Sequence, residues 1–184
     1  MPVIEEEIEV QVPVAVAYNQ WTQFEDFPKF MEGVESVEQI DDERMHWVAN
    51  IAGKRLEWDA HIREQVPDRR IAWLSDDGKE IGGEVDFEPI TDGTRIHVRM
   101  GYQSEGLLEN AGAVFGFDSR RVQKDLRRFK EFIESRGIET GGWRGEIGTE
   151  GRDQGMGRGP MGAEPDALGQ RPPAPRDATP PGEF

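Results

Sequence analysis

Between residues 34 and 102 the sequence repeats one pattern, in which short runs of alternating apolar and polar residues are each followed by a turn signal. The turn signals are DDE at 41, AGK at 52, PDR at 67, DDG at 76 and TDG at 91. Alternation with a period of two is typical of half-buried strands, and turns this short join neighbouring antiparallel strands. The pattern predicts an antiparallel meander with strands near 34–40, 44–51, 55–66, 70–75, 80–88 and 94–102.

Other elements flank this meander. An earlier alternating run at 3–12 predicts a first strand, which Pro13 ends, and a helical pattern follows from Val14 to Trp21. After the meander, apolar residues at three- and four-residue spacing predict a long helix over 118–136. Its apolar stripe consists of Val122, Leu126, Phe129 and Ile133, and Gly137 is a suitable C-terminal cap.

The segment WTQFEDFPKFM, residues 21–31, carries large aromatic residues at every third position. These are Trp21, Phe24, Phe27 and Phe30. Alone, such a segment could be an exposed docking patch, a wedge inserted into a membrane or the lid of a hydrophobic core. Because Phe27 precedes Pro28, we expect it to be extended and to separate two helical turns.

Composition excludes several classes of protein. The chain has no cysteine, which rules out disulfides and thiolate chemistry. A net charge of −15 makes nucleic acid and anionic membrane surfaces poor partners. No run resembles a signal peptide or reaches the roughly 18 consecutive apolar residues of a membrane span. We therefore expect a cytoplasmic protein with no integral membrane segment.

The composition changes after Gly137. Residues 138–184 hold 7 of the 12 prolines and 11 of the 22 glycines, and they have few large aliphatic residues. Such a segment buries too little apolar area to offset its ordering entropy. The sequence predicts a folded domain at 1–137 and a disordered tail at 138–184, unless Trp143 docks the tail onto the domain.

The strand registers separate an apolar face from a polar one. The inward face carries Met45, Trp47, Ala49 and Ile51, then Leu56, Trp58, Ala60 and Ile62, then Ile71 and Trp73, then Val85 and Phe87, then Ile96, Val98, Met100 and Tyr102. All three histidines, His46, His61 and His97, fall on the outer register with charged residues. A general base must reach the substrate, so we predict no catalytic residue among them, and their spacing does not favour a metal site.

This order of elements, and several stretches of sequence, resemble a known family. The stretches are VPVAVAYNQWTQFEDFPKFMEGVESVE (12–38), LEWDAHIREQVPDRRIAWLS (56–75), GGEVDFEPITDGTRIHV (82–98) and DLRRFKEFIESRG (125–137). They resemble the START-like superfamily, in particular its bacterial polyketide cyclase/dehydrase and coenzyme Q-binding branch. The resemblance implies an α+β helix-grip (START/Bet v 1-like) fold, in which a curved seven-stranded antiparallel sheet wraps a long C-terminal helix and two short helices follow the first strand.

In this family the resemblance also implies a cavity between sheet and helix, with the aromatics of 21–31 turned inward. With the inward registers, the candidate pocket residues are Met45, Trp47, Trp58, Ile62, Trp73, Phe87, Val98, Met100, Tyr102 and Phe115. Three functions stay open: a noncatalytic binder of a small hydrophobic molecule, a polyketide cyclase or aromatase, and a pocketless interaction protein. We expect no cofactor and no metal, and the sequence identifies no protein partner.

Overall fold

The computed structural model describes residues 3–51, 53–76, 81–102 and 119–148, which belong to one compact unit, Met1–Asp153. Its strands are β1 (Val3–Val10), β2 (Val34–Gln39), β3 (Arg44–Ile51), β4 (Lys54–Val66), β5 (Arg70–Ser75), β6 (Ile81–Ile90) and β7 (Gly93–Tyr102). They form a seven-stranded antiparallel sheet in the order β1-β7-β6-β5-β4-β3-β2. The helices are α1 (Val14–Trp21), a short 3₁₀ helix η1 (Phe24–Lys29) and α2 (Ser119–Arg136). This confirms the predicted α+β helix-grip fold.

Helix α2 lies across the concave face of the sheet. Its predicted apolar stripe is buried, as Val122, Leu126, Phe129 and Ile133 are each exposed by 7% or less. Gly137 adopts a φ of +69° just after the helix and donates its N–H to the carbonyl of Ile133 at 2.8 Å. This left-handed cap, which glycine adopts without strain, ends the helix where the sequence predicted.

The aromatic segment at 21–31 closes the core. Trp21, Phe24, Phe27 and Phe30 are each exposed by 3% or less. The Trp21 and Phe30 rings lie 5.4 Å and 5.1 Å from Phe129 of α2. Edge-on and tilted contacts at these distances stabilise aromatic clusters. The segment is therefore a core lid, and the docking-patch and membrane-wedge interpretations are wrong.

The position of the helix break differs from the prediction. Phe27 and Pro28 both lie inside η1, and the break falls earlier, between α1 and Phe24. The carbonyl of Phe27 accepts hydrogen bonds from the N–H groups of Phe30 and Met31, at 3.1 Å and 2.8 Å, which closes the turn beyond the proline. A short 3₁₀ helix therefore accommodates the proline without separating the helical turns.

A bulge changes the register of β4. Its pairing with β5 shifts between Ile62 and Glu64, so residues up to Ile62 follow the predicted alternation and the next ones do not. Beyond the bulge, Gln65 pairs with Ile71 and is exposed by only 1%. The extra residue of the bulge turns the Gln65 side chain toward the core. The side chain of the preceding residue, Glu64, stays on the partly exposed face.

Residues 138–148, which we call the strap, follow α2 and lie against β4 and α1. Ile147 exchanges two backbone hydrogen bonds of 3.0 Å with Gln65, at a part of β4 that extends beyond its pairing with β3. The Ile147 side chain packs against the hydrophobic core. The strap thereby provides hydrogen-bond partners for the backbone N–H and carbonyl of Gln65, on the edge of β4 where the pairing with β3 has ended.

Polar contacts fix the strap along its length. Arg144 donates two hydrogen bonds to the Asp68 carboxylate, at 2.9 Å and 2.7 Å, and its guanidinium lies 5.6 Å from the ring centre of Tyr18. The side-chain oxygen of buried Gln20 accepts the Thr140 N–H at 2.9 Å. These contacts attach residues 138–148, which lie beyond the predicted boundary at Gly137, to β4, α1 and the turn after β4. Residues 149–184 lie outside the described part of the chain.

The strap yields a prediction about truncation. Removing 138–184 is expected to lower the free energy of unfolding by about 1–3 kcal/mol, since its hydrogen bonds and the packing of Ile147 are lost. Removing 149–184 alone should change it by less than about 0.5 kcal/mol, as the tail composition predicts. Urea unfolding followed by circular dichroism measures both. Equal midpoints for the two truncations would contradict a stabilising strap.

Candidate ligand-binding cavity

A cavity lies between the concave face of the sheet, the end of η1 and the first half of α2. Its volume is about 60 Å³, and about 840 Å³ when the solvent-open mouth is included. One water needs roughly 10–15 Å³, whereas sites that enclose drug-sized ligands span roughly 300–1,000 Å³. A ligand of more than a few heavy atoms must therefore extend into the mouth.

The wall of this cavity is mostly apolar. The residues that line it are Trp21, Phe27, Phe30, Met31, Glu32, Gly33, Val34, Trp47, Ala49, Trp58, Trp73, Val98, Met100, Arg121, Val122, Asp125, Leu126 and Phe129. The charged residues among them come from α2 and from the loop before β2. The Glu32 side chain is half exposed, which places the charged side of the cavity next to solvent.

Tryptophans on neighbouring strands form the floor of the cavity. Trp47 of β3 is directly opposite Trp58 of β4, and their rings stack with centroids 5.9 Å apart and planes 10° apart. Trp73 of β5 lies over Gly83 of β6, where a Cβ atom would come within 2.5 Å of the indole. Glycine at position 83 therefore gives the Trp73 ring the space to lie flat on the sheet.

Helix α2 holds the loop before β2 by a single residue, Glu32. Arg121 donates to the Glu32 backbone carbonyl through Nε at 3.1 Å and also through Nη2. The Glu32 carboxylate binds Lys124 at 2.6 Å and Arg128 at 3.3 Å. The Lys124 hydrogen bond, with the charges of Lys124 and Arg128, lowers the pKa of Glu32. The backbone and the side chain of Glu32 are thus both attached to α2.

The Asp125 carboxyl is the half-buried acid of this cavity. Its Oδ1 accepts the Glu32 backbone N–H at 2.9 Å. Burial raises the pKa of Asp125, outweighing that hydrogen bond and the nearby Arg121 and Arg128 charges, which lower it. In the described residues no hydrogen bond or close ion pair reaches Oδ2. One oxygen of Asp125 is therefore held by the backbone, and the other has no partner in the part of the chain that the structure describes.

Two tryptophans that line the cavity have buried indole N–H groups without a partner among the described residues. Trp21 and Trp47 are exposed by 2% and 6%, and neither Nε1 atom has a hydrogen-bond acceptor within the part of the chain that the structure describes. An unsatisfied buried donor costs about 1–3 kcal/mol. An indole can only donate, so both residues would gain from an acceptor that enters the core near them.

The structure places the predicted pocket residues in different environments. Those that line the cavity are Trp47, Trp58, Trp73, Val98 and Met100. Met45, Ile62 and Phe87 are buried in the packed core and are not among the residues that line this cavity, so their role in ligand binding stays a prediction. Phe87 is covered by α1, with its ring 5.5 Å from Tyr18 and 6.3 Å from Trp21. The Tyr102 side chain and Phe115 lie outside what the structure describes.

The histidines lie on the outer face, as their register predicts. His46 Nδ1 is 2.7 Å from Asp59 Oδ1, and His61 pairs with Asp76. His97 is opposite Glu7 of β1 and Asp86 of β6. None of the three histidines lines the cavity.

Sequence reasoning missed the polar residues of the interior. Asp125 lies three residues after Val122 and four before Phe129, so the helical spacing places it on the buried stripe. That spacing was the sequence signal that could have identified Asp125 as an interior residue. Tyr18 is fully buried in α1, and its burial raises the pKa of its hydroxyl. Its spacing, four residues after Val14 and three before Trp21, was the same kind of signal.

The described residues contain no group of His, Asp and Glu side chains that could hold a metal ion. Within the same ranges, no helix has both the length and the apolar composition needed to cross a membrane.

Comparison with known proteins agrees with this fold. Residues 10–131 match the family described as polyketide cyclase / dehydrase and lipid transport. An uncharacterized 17.2 kDa protein from the melC2-rnhH intergenic region of Streptomyces lincolnensis is 49% identical over 80% of this chain and 99% of its own.

Solved structures show the same architecture. DR_A0006 from Deinococcus radiodurans aligns with a TM-score of 0.60 and 28% identity over 73% of this chain and 98% of its own. A START superfamily protein from Mycobacterium smegmatis aligns with a TM-score of 0.57 and 11% identity, over 73% and 95% of the two chains. The fold is thus that of the START superfamily. The chain belongs to the polyketide cyclase/dehydrase and lipid transport family.

The contact between Gly83 and Trp73 predicts a non-additive pair of substitutions. Gly83→Ala should lower the free energy of unfolding by about 1–3 kcal/mol, because the added methyl group collides with the indole. In a Trp73→Ala background the same change should cost much less, since the colliding ring is gone. Chemical denaturation of the four proteins of this cycle measures the coupling. Additive effects would show that the indole does not need the space above Gly83.

The outer position of the histidines predicts that they are dispensable for ligand binding. A triple variant, His46→Gln, His61→Gln and His97→Gln, should bind an apolar ligand with wild-type affinity, because none of the three reaches the cavity. Fluorescence titration with a neutral dye measures this. Lost binding in a variant with an unchanged circular dichroism spectrum would restore a histidine-dependent mechanism.

Proposed function

We propose that the protein binds a small hydrophobic molecule in the cavity between the sheet and α2. The observation that carries the proposal is the wall itself, in which Trp47, Trp58 and Trp73 form an aromatic floor beneath the apolar stripe of α2. Apolar walls with a few polar groups on one side are typical of sites for small organic ligands. The charged groups near Glu32 would meet the ligand at its solvent end.

The narrow interior limits how the ligand lies. About 60 Å³ admits only part of an aromatic molecule beside the tryptophans. The remainder would occupy the mouth next to Arg121 and Asp125. The ligand of this proposal therefore has an apolar end that reaches the indoles and a second end close to solvent.

A second candidate is a polyketide cyclase or aromatase that uses the same cavity. The family description includes such enzymes, and the structure adds an acid, Asp125, that sequence reasoning lacked. Catalysis would need this carboxyl within hydrogen-bond reach of a reacting carbonyl. Cyclisation of a poly-β-ketone chain by the wild type, abolished in Asp125→Ala, would favour this candidate over simple binding.

The tryptophans separate a binder from a pocketless interaction protein. Trp58→Ala or Trp73→Ala should lower the free energy of unfolding by less than the roughly 3–5 kcal/mol typical of a fully packed tryptophan, because both are only partly buried and border the cavity. Each should also weaken binding of the neutral dye N-phenyl-1-naphthylamine by about tenfold, as the aromatic contact is worth roughly 1 kcal/mol or more.

Trp143→Ala is the matched control, because Trp143 lies in the strap and does not line the cavity. It should leave dye affinity unchanged.

Native mass spectrometry of the protein purified from its own host tests for a retained molecule. No dye binding by the wild type, together with full core-like destabilisation in Trp58→Ala, would favour the pocketless alternative.

A further inference from the structure

We propose that Asp125 selects the ligand, with its Oδ2 donating a hydrogen bond to a carbonyl or similar acceptor oxygen on an otherwise apolar, uncharged molecule. This inference rests on the proposed function, since it assigns the polar contact of the same cavity. Asp125 acts here as a binding group, and no bond in the ligand is made or broken.

The position of Asp125 carries the inference. It lines the cavity from the buried side of α2, one turn from Val122 and one turn from Phe129. The Glu32 N–H holds Oδ1 at 2.9 Å and so fixes the carboxyl plane. Oδ2 is left without a partner among the described residues. A fixed carboxyl with one available oxygen is suited to a single directed hydrogen bond.

The charges around Asp125 come from α2 and from the loop before β2. Arg121 and Arg128 lower its pKa, but both guanidinium groups are also bound to Glu32, and the Glu32 charge acts in the opposite direction. The sheet residues that line the cavity opposite α2 are uncharged. Burial is the largest effect, so the pKa of Asp125 is raised.

A bound ligand would strengthen this effect. By displacing water from the cavity it removes solvation from the carboxylate, which favours the neutral acid. A neutral carboxyl donates a hydrogen bond. The ligand that complements it carries an acceptor oxygen.

Charge disfavours ionic ligands at this site. An anion would approach the Glu32 carboxylate, and the cations beside it, Arg121, Lys124 and Arg128, are already bound to Glu32. A cation would pair with ionised Asp125, and its affinity would then rise with pH. An uncharged acceptor shows the opposite dependence. Its affinity is highest below the pKa of Asp125, where the carboxyl is neutral, and decreases as the pH rises through that pKa.

Three probes of similar shape test the inference. These are 2-acetylnaphthalene, which has an acceptor oxygen, 2-ethylnaphthalene, which has none, and 2-naphthylmethylamine, which is cationic. Titration calorimetry of the full chain, from the ordinary aspartate pKa of about 4 up to pH 8, gives each affinity. At the acidic end the wild type should bind the ketone roughly three- to tenfold more tightly than the hydrocarbon, the effect of one net hydrogen bond, and this preference should fall with rising pH.

Variants at position 125 separate binding from structure. Asp125→Leu should bind both neutral probes equally. Asp125→Asn keeps an acceptor for the Glu32 N–H and a donor for the ligand, so it should retain a preference for the ketone that no longer depends on pH. Glu131→Gln, at an exposed position on α2, is the matched control and should behave as the wild type.

The outcomes distinguish this inference from the proposed function. If the wild type binds the ketone and the hydrocarbon equally, or if Asp125→Leu keeps the preference, the role of Asp125 is refuted while the cavity stands. Tighter binding of the amine with rising pH refutes it in favour of a cationic ligand. If no naphthalene binds at any pH, the proposed function and this inference both fail.

Discussion

The structure depends on one contact, the packing of the apolar stripe of α2 against the concave face of the sheet. Phe129 and Ile133 are fully buried there, and the Trp21 and Phe30 rings close on Phe129 from the other side. Sheet and helix each have one apolar face, and neither can bury that face alone. The cavity borders this contact along α2 from Arg121 to Phe129, and Ile133 lies beyond it. The cavity is therefore a consequence of incomplete packing along this helix.

The same helix brings polar groups to the cavity. Because the long side chains of Arg121, Lys124 and Arg128 reach Glu32, the loop before β2 is fixed to α2 through one residue. Gly33 follows with a φ of +90°, and a Cβ atom there would collide with Arg121 and with the Asn50 carbonyl. This close approach positions the Glu32 N–H at Asp125. The Asp125 carboxyl thus makes both the structural hydrogen bond to the Glu32 N–H and the proposed contact with the ligand.

Much of the fold could be predicted because its signals are local. Alternation and turn residues located every strand to within a few residues, and the spacing of Val122, Leu126, Phe129 and Ile133 located α2. The outer position of His46 and His61 followed from the same alternation. The candidate site was predicted less completely. Met45 and Phe87 share the inward face with Trp47, yet the contacts of neighbouring elements decide which of them borders a cavity.

The sequence by itself determined the order of elements, the apolar face of each strand and the buried stripe of α2, because period and turn chemistry act within a few residues. Only the tertiary structure decided which inward residues remain uncovered, since that depends on how α1, η1 and α2 meet the sheet. It also decided that the bulge in β4 turns Gln65 inward and that the strap at 138–148 pairs with it. It decided as well that Asp125 is half-buried, with one oxygen that has no partner among the described residues. These features arise from contacts between residues that are distant in sequence, and local sequence patterns carry no information about such contacts.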